Sequence, residues 1–247
     1  MEGTEETGLF DAHCHPPVSA AGAALAAARR AGVRAVALWG TEPGDWIRPD
    51  PGAVPAGLVV RQGFGLHPWK LSGPLPAGWR ERLEEELRND PALGVGETGL
   101  DFRPGMAERA LQLEVLRVHW GLARKHDRPL SLHAVRAHGA LLPLMCEWGA
   151  VRAQVHGFEG SPELARALCR EGFFLSMGRG LLRPTRPDSF ARALLAAVPR
   201  GRAMFETDSD GPAGLRAVVE GIASRSGIPF GELADDGARS ARAFLGF

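Results

Sequence analysis

The chain has 247 residues, close to the roughly 250 of one (β/α)₈ barrel and enough for one large core. Its 29 basic and 29 acidic residues cancel, which argues against a strongly basic, nucleic-acid-coating protein but leaves room for a local basic patch. Hydrophobic residues at 45% and charged residues at 23% exclude the disordered and fibrous classes.

Along the chain, short β-branched or apolar runs alternate with longer Ala-, Leu- and Arg-rich segments of helical period. That is the pattern of repeated βα units around a parallel sheet. Strands are expected at Gly8–His15, Val33–Trp39, Leu58–His67, Ala92–Glu97, Pro129–His133, Arg152–His156, Phe173–Met177 and Arg202–Asp208. Helices are expected at Ala20–Ala31, Trp79–Asn89, Met106–His126, Ala137–Trp148, Ser161–Glu171 and Asp188–Ala197, with two more at Ala213–Ser226 and Phe230–Leu245. Ser161-Pro162-Glu163 is a good helix start: a capping hydroxyl, a proline at the first position and an early acid. The second unit is weak, because Pro43, Pro49, Pro51 and Pro55 break Thr41–Gly57, leaving at most one helical turn near Asp45–Arg48. The expected fold is α/β, a single (β/α)₈ TIM-like barrel with a shortened second βα unit, in one domain over residues 1–247.

The three cysteines, Cys14, Cys146 and Cys169, are odd in number and fit neither a disulfide framework nor a CxxC clip, which points to a reducing compartment. The acidic start MEGTEETGLF is not a signal peptide, and no apolar run nears the roughly 18 residues of a membrane span. A cytoplasmic location with no membrane association is expected.

Six potential metal ligands stand at or just past the ends of expected strands. His13 and His15 lie two apart in Asp11-Ala12-His13-Cys14-His15, so both imidazoles can enter the barrel while Cys14 points to the helix layer. Glu97 ends strand four, His133 strand five, His156 strand six and Asp208 strand eight. An HxH pair alone is common. Four histidines and two carboxylates at the end where such barrels collect catalytic groups form a much more specific constellation. His13, His15 and Asp208 would hold one ion, His133 and His156 a second, and Glu97, with two oxygens, can bridge them. Two divalent ions roughly 3.5–4 Å apart can generate hydroxide at neutral pH and stabilise charge on a phosphoryl oxygen. The ions expected are Zn, Mg, Mn, Ni or Co, and nitrogen-rich donors suit Zn²⁺ or another imidazole-loving ion better than Mg²⁺ alone.

These residues carry a family resemblance. The segments Asp11-Ala12-His13-Cys14-His15, Gly65-Leu66-His67-Pro68-Trp69, Gly94-Val95-Gly96-Glu97-Thr98-Gly99-Leu100-Asp101, His133, His156-Gly157-Phe158-Glu159-Gly160 and Glu206-Thr207-Asp208-Ser209 span nearly the whole chain. In this order they resemble the TatD family of metal-dependent deoxyribonucleases within the amidohydrolase-like barrels. The resemblance implies a divalent-metal phosphodiesterase acting on DNA or a short oligonucleotide. It carries the ligand roles onto His13, His15, Glu97, His133, His156 and Asp208, and the general-base role onto Asp208. Catalysis is thus assigned to Asp208 and Glu97. Two departures are visible. The family's Ser-Pro or Ala-Pro and long loop after Glu-Thr-Asp are replaced by Ser209-Asp210-Gly211-Pro212 running into a helix, and an Arg usual two positions after the fifth-strand His stands three on, at Arg136.

His67 at the end of strand three should face the mouth, either contacting substrate or metal-bound water or packing behind the ligands, and the nearby Trp69 could either stack on a base or pack as a rim lid. Arg179 and Arg183, with Arg186, crowd the loop after strand seven, and Arg136 opens the loop after strand five, where guanidinium groups can bind phosphate. Asp11 and Glu206 each precede a ligand by two and should point inward, accepting from a ligating imidazole or an inward Arg. His119, His126 and His138 fall in helices and read as structural or surface residues. No obligate protein partner is expected. The leading reading is a TatD-like phosphodiesterase acting exonucleolytically on single strands. An alternative is a small-molecule amidohydrolase or lactonase using the same hydroxide on a carbonyl carbon, to which neutral charge and the shortened final loop lend weight. A metal-binding scaffold without activity fits least, because no ligand is missing.

Overall fold

The computed structural model describes residues 8–46, 48–209 and 211–247. Most of the acidic N-terminal decapeptide, and Asp210 of the shortened final loop, lie outside the described residues. Eight parallel strands close in sequence order. They are β1 (Leu9–Cys14), β2 (Val33–Trp39), β3 (Val59–Phe64), β4 (Gly94–Asp101), β5 (Leu130–Val135), β6 (Ala153–Val155), β7 (Phe174–Met177) and β8 (Ala203–Phe205), with Asp11 opposite Phe205 at the closure. The helices are α1 (Ala21–Arg30), α2 (Trp79–Asn89), α3 (Arg109–Lys125), α4 (His138–Trp148), α5 (Pro162–Arg170), α6 (Asp188–Ala197), α7 (Leu215–Ser226) and α8 (Phe230–Leu245). This is a TIM (β/α)₈ barrel whose second unit lacks an α-helix among the described residues.

The helical turn of that second unit falls at Pro51–Ala53, later than the expected Asp45–Arg48, part of which (Ile47) lies outside the described residues. The reason is local hydrogen bonding. Asp50 accepts from Gly52 N–H ahead of a proline in the first helical turn, whereas the Asp45 carboxylate is taken by Thr41 and by the Glu42 N–H. Elsewhere the helices follow their signals. Ser161 accepts from Leu164 N–H at 3.3 Å with Pro162 next, starting α5, and α1 turns Leu25 and Ala28 onto the outer faces of β1 and β2.

The barrel interior is filled around Trp39. Its six-membered ring lies against Gly63 and Gly94 on β3 and β4; a Cβ at Gly63 would overlap it, and one at Gly94 would press tightly on it. Beneath it, α8 carries Phe244 to within 6.2 Å of Trp39 and 5.6 Å of Phe174, closing the end where the strands start. The opposite end is left open, and there the polar side chains collect.

Candidate metal centre

Two strands reach the open end with an extra residue. Asp11 and Cys14, three apart on β1, stand opposite Val36 and Leu38, two apart on β2. Val95 and Thr98, three apart on β4, stand opposite Leu130 and Leu132, two apart on β5. Each bulge resets the alternation and re-aims a side chain, and the bulged segments contain His13 and Glu97. The β1 bulge corrects one expectation. Asp11 does not reach a ligating imidazole or an Arg; its carboxylate accepts from Thr207 Oγ1 at 2.6 Å and Thr207 N–H at 3.1 Å. Cys14 packs with Leu25 in the outer layer. A second correction concerns strand ends. β4 continues four residues past Glu97 to Asp101, and β5 two past His133 to Val135, while β6 and β8 stop at Val155 and Phe205 and leave His156 and Asp208 in the loops just beyond.

Glu97 is buried at the centre of the cluster. Its Oε2 lies 2.9 Å from His15 Nε2 and 3.3 Å from His13 Nε2. Its Oε1 lies 2.8 Å from His156 Nε2, 3.2 Å from His133 Nδ1 and 2.9 Å from His67 Nε2. One oxygen thus serves the β1 pair and the other serves the histidines from the ends of β3, β5 and β6. Asp208 completes the β1 side, with Oδ1 3.7 Å from His15 Nε2. It is held by a chain crossing in which Asp208 N–H donates to His13 O and His15 N–H donates to Asp208 O, at 2.9 and 3.0 Å. The structure therefore brings all six candidate ligands together: the donor atoms of His13, Glu97 and His156, of His13, His15 and Asp208, and of His67, Glu97 and His133 lie mutually within 4.8 Å.

The backs of the rings decide which nitrogens face the centre as lone pairs. His15 Nδ1 lies 2.6 Å from Trp39 O, which can only accept, so a proton sits there and Nε2 is the bare nitrogen of the neutral ring. His133 Nε2 faces the Asp101 carboxylate at 3.2 Å and His156 Nδ1 faces Glu206 at 3.4 Å, so in the neutral rings His133 Nδ1 and His156 Nε2 are the lone pairs turned to the centre. His13 Nδ1 meets Ser131 Oγ at 3.0 Å, and Ser131 in turn accepts from Gln154. When protonated, these rings hydrogen-bond Glu97 at 2.8 to 3.3 Å; when neutral, their inward lone pairs and the carboxylate oxygens call for a cation between them. This donor set, imidazole nitrogens with a second hydrogen-bonded acceptor behind them, fits divalent metal ions. His67 differs. Its Nδ1 accepts from Trp69 N–H at 3.1 Å, so Nε2 carries the proton and donates to Glu97. Its place is that of a donor steadying the central carboxylate.

The titration behaviour follows the same geometry. Burial pushes Glu97 up, but the His156 and His67 charges and bonds from His13 and His133 outweigh it and hold it well below the carboxylate range. Burial, with His156 adding to it, lowers His13 to about 3. His156 goes the other way, since Glu97 and Glu206 more than offset burial. Burial raises Asp11 to about 7 against the bonds from Thr207, and burial also raises Asp208, opposed by His156 and helped by Glu206.

Around the mouth, Trp69 is 54% exposed. Arg179 and Arg183 line a cavity of about 290 Å³ that also touches Gly157, Glu159, Thr207 and Asp208. Arg183 and Arg186 share the Glu159 carboxylate at 3.0 and 2.6 Å, and Arg225 staples their loop by donating to the carbonyls of Leu182 and Arg186. Arg136 is exposed in the turn after β5, outside that cavity. Glu206 points inward as expected and accepts from Gly157 N–H at 2.7 Å. Sequence reasoning gave no role to Asp101, Ser131 or Gln154. Asp101 had a usable signal, since it lies an even number of residues beyond Glu97 and so on the same face, but it fell past the expected end of strand four.

The family model described as TatD related DNase matches residues 10–246. The chain belongs to this family. Among its relatives, the human deoxyribonuclease TATDN3 is 27% identical over 82% of this chain and 78% of its own length. The 3'-5' ssDNA/RNA exonuclease TatD of Edwardsiella piscicida is 28% identical over 75% of this chain and 71% of its own. Among solved structures, the TatD homologue YjjV from Escherichia coli K12 superposes with a TM-score of 0.82 at 25% identity, covering 96% of this chain and 97% of that one. Like other TatD relatives, the chain is a metal-dependent hydrolase on a (β/α)₈ barrel. Among the described residues, no helix is long and apolar enough to cross a membrane.

Proposed function

We propose that this TatD-family hydrolase cleaves phosphodiester bonds of DNA, working from an end of single strands, with two divalent ions held in one domain spanning residues 1–247. The observation that carries the reading is the division of Glu97, whose two oxygens face two separate sets of imidazoles. His13, His15 and Asp208 would hold one ion, His133 and His156 the other, and Glu97 would bridge them. When bound, such ions supply Lewis-acid stabilisation of a phosphoryl oxygen and make water acidic enough to react near neutral pH.

The chain's own groups do the rest. Asp208, with 52% of its side chain exposed, is placed to accept a proton from the attacking water at the mouth. His67 donates to Glu97 and keeps that carboxylate from rotating. Asp101 and Glu206 fix the rings of His133 and His156. Arg179 and Arg183, beside Asp208, would take substrate phosphate, with exposed Arg136 a further contact. Three free thiols, Cys14, Cys146 and Cys169, suit the reducing cytoplasm. The test is a panel of single-stranded DNA, an aryl phosphodiester and a lactone, each with added Zn²⁺, Mg²⁺, Mn²⁺, Ni²⁺ or Co²⁺. Hydrolysis of DNA is expected; turnover of the lactone alone would replace this reading with a small-molecule amidohydrolase.

A further inference from the structure

Among the described residues, Trp69 is the one large aromatic among the exposed apolar residues at the open end, and it is tied down. Its indole N–H donates to Asp101 Oδ2 at 2.8 Å. Asp101 is fully buried and also receives the Arg103 guanidinium, from Nε at 2.9 Å and Nη2 at 2.6 Å, and the Arg103 backbone N–H at 3.1 Å. The same carboxylate backs His133 at 3.2 Å. The ring of Trp69 stands edge-on to His67, with centroids 4.8 Å apart, and to His133, with centroids 5.7 Å apart. Arg103 lies 5.3 Å from the indole centroid. A rim lid without a further role has no need of an anchor on a buried carboxylate shared with a candidate ligand, and it would not leave half of its surface in solvent. An exposed indole has few rotamers to lose when its N–H is fixed, so it offers a preordered face.

We infer that Trp69 is a nucleobase-stacking platform at the edge of the reacting centre, and that Asp101, with Arg103, is the positioning residue that registers this platform against His133. The inference rests on the phosphodiesterase reading and deepens it. A base can stack on Trp69 only when it has left its own helix, so the platform selects an unpaired base next to the bond being cut. Stacking is sequence-tolerant because every base has a π-face.

The experiment uses the full chain and compares a single-stranded oligonucleotide with the same strand lacking the base at its terminal residue, tested at either end. For wild type, removing the base at the attacked end should lower kcat/KM about tenfold or more, mainly through KM. Trp69→Ala should lose that much on the intact strand and almost nothing further on the abasic one. Trp69→Phe, which keeps a ring, should recover part of the discrimination. Asp101→Asn should erode the discrimination with Trp69 still present, which a general loss of folded protein would not do, since that lowers kcat on both strands alike. If Trp69→Ala discriminates between the strands as wild type does, the platform is disproved; if Asp101→Asn does so, its positioning role is disproved. Should wild type cut neither strand, the phosphodiesterase reading itself falls, and this inference with it.

Discussion

The carboxylate of Asp11 accepts two hydrogen bonds from Thr207, one from the hydroxyl at 2.6 Å and one from the backbone N–H at 3.1 Å. Both residues are buried, and Thr207 leads directly into Asp208, whose φ of 53° is unusual for a non-glycine residue. The pair joins the first strand to the loop after the last and sets where Asp208 stands. Thr207→Val keeps the shape but leaves Asp11 short of a donor. It should cost about 1–3 kcal/mol of stability and lower turnover more than substrate affinity. Urea unfolding with a wild-type midpoint would show that the bond carries no such weight.

Asp208→Asn preserves size and removes the charge required of a proton acceptor. Hydrolysis should fall at least about 10²-fold, the lower end of a general-base contribution. Near wild-type turnover would mean that another group takes the proton.

His119 supplies a pH dependence that is separate from the metal centre. It is fully buried in α3, its Nδ1 donating to Val115 O at 2.8 Å and its Nε2 accepting from Leu66 N–H at 3.1 Å. Burial lowers its pKa to about 4. The unfolded histidine, near 6.5, therefore binds a proton in a range where the folded one does not. Its contribution is complete above about pH 6.5 and is lost as pH falls from there through about 4, at up to about 1.4 kcal/mol per pH unit. Stability of wild type should decline more steeply across that window than stability of His119→Gln. Parallel curves would contradict the assignment.

The strand order and the clustering of the six candidate ligands were legible because each ligand sits at the end of a short apolar run, where a parallel barrel must place it. Two things were not legible. Bulges leave no mark in a periodicity, so Asp11 read as inward by simple alternation when the extra residue at Ala12–His13 turns it to Thr207. Nor does a residue pattern show where a strand stops. β4 runs on through Gly99 and Leu100 to Asp101, and reading its end at Glu97 hid the carboxylate that holds both His133 and Trp69.

Substrate grip should be light. Glu159 already neutralises Arg183 and Arg186, and a helical turn at Pro212–Gly214 leads straight into α7 soon after Asp208 in place of a long loop. Few neutralised phosphates release few counterions. The log–log slope of single-strand affinity against salt should be shallower than about −4, and Arg179→Ala and Arg183→Ala should weaken binding. A steeper slope would contradict the few-contact account.

The account turns on Glu97 joining two metal sites in one hydrolytic centre, and the direct measurement is a metal titration of chelator-stripped protein with turnover of a single-stranded oligonucleotide followed at each addition. Wild type should be inactive when stripped and should regain activity as it takes up two ions per chain, while Glu97→Gln should retain less metal and stay inactive. Full hydrolysis by the stripped protein, or a Glu97→Gln variant with wild-type metal content and turnover, would contradict the claim.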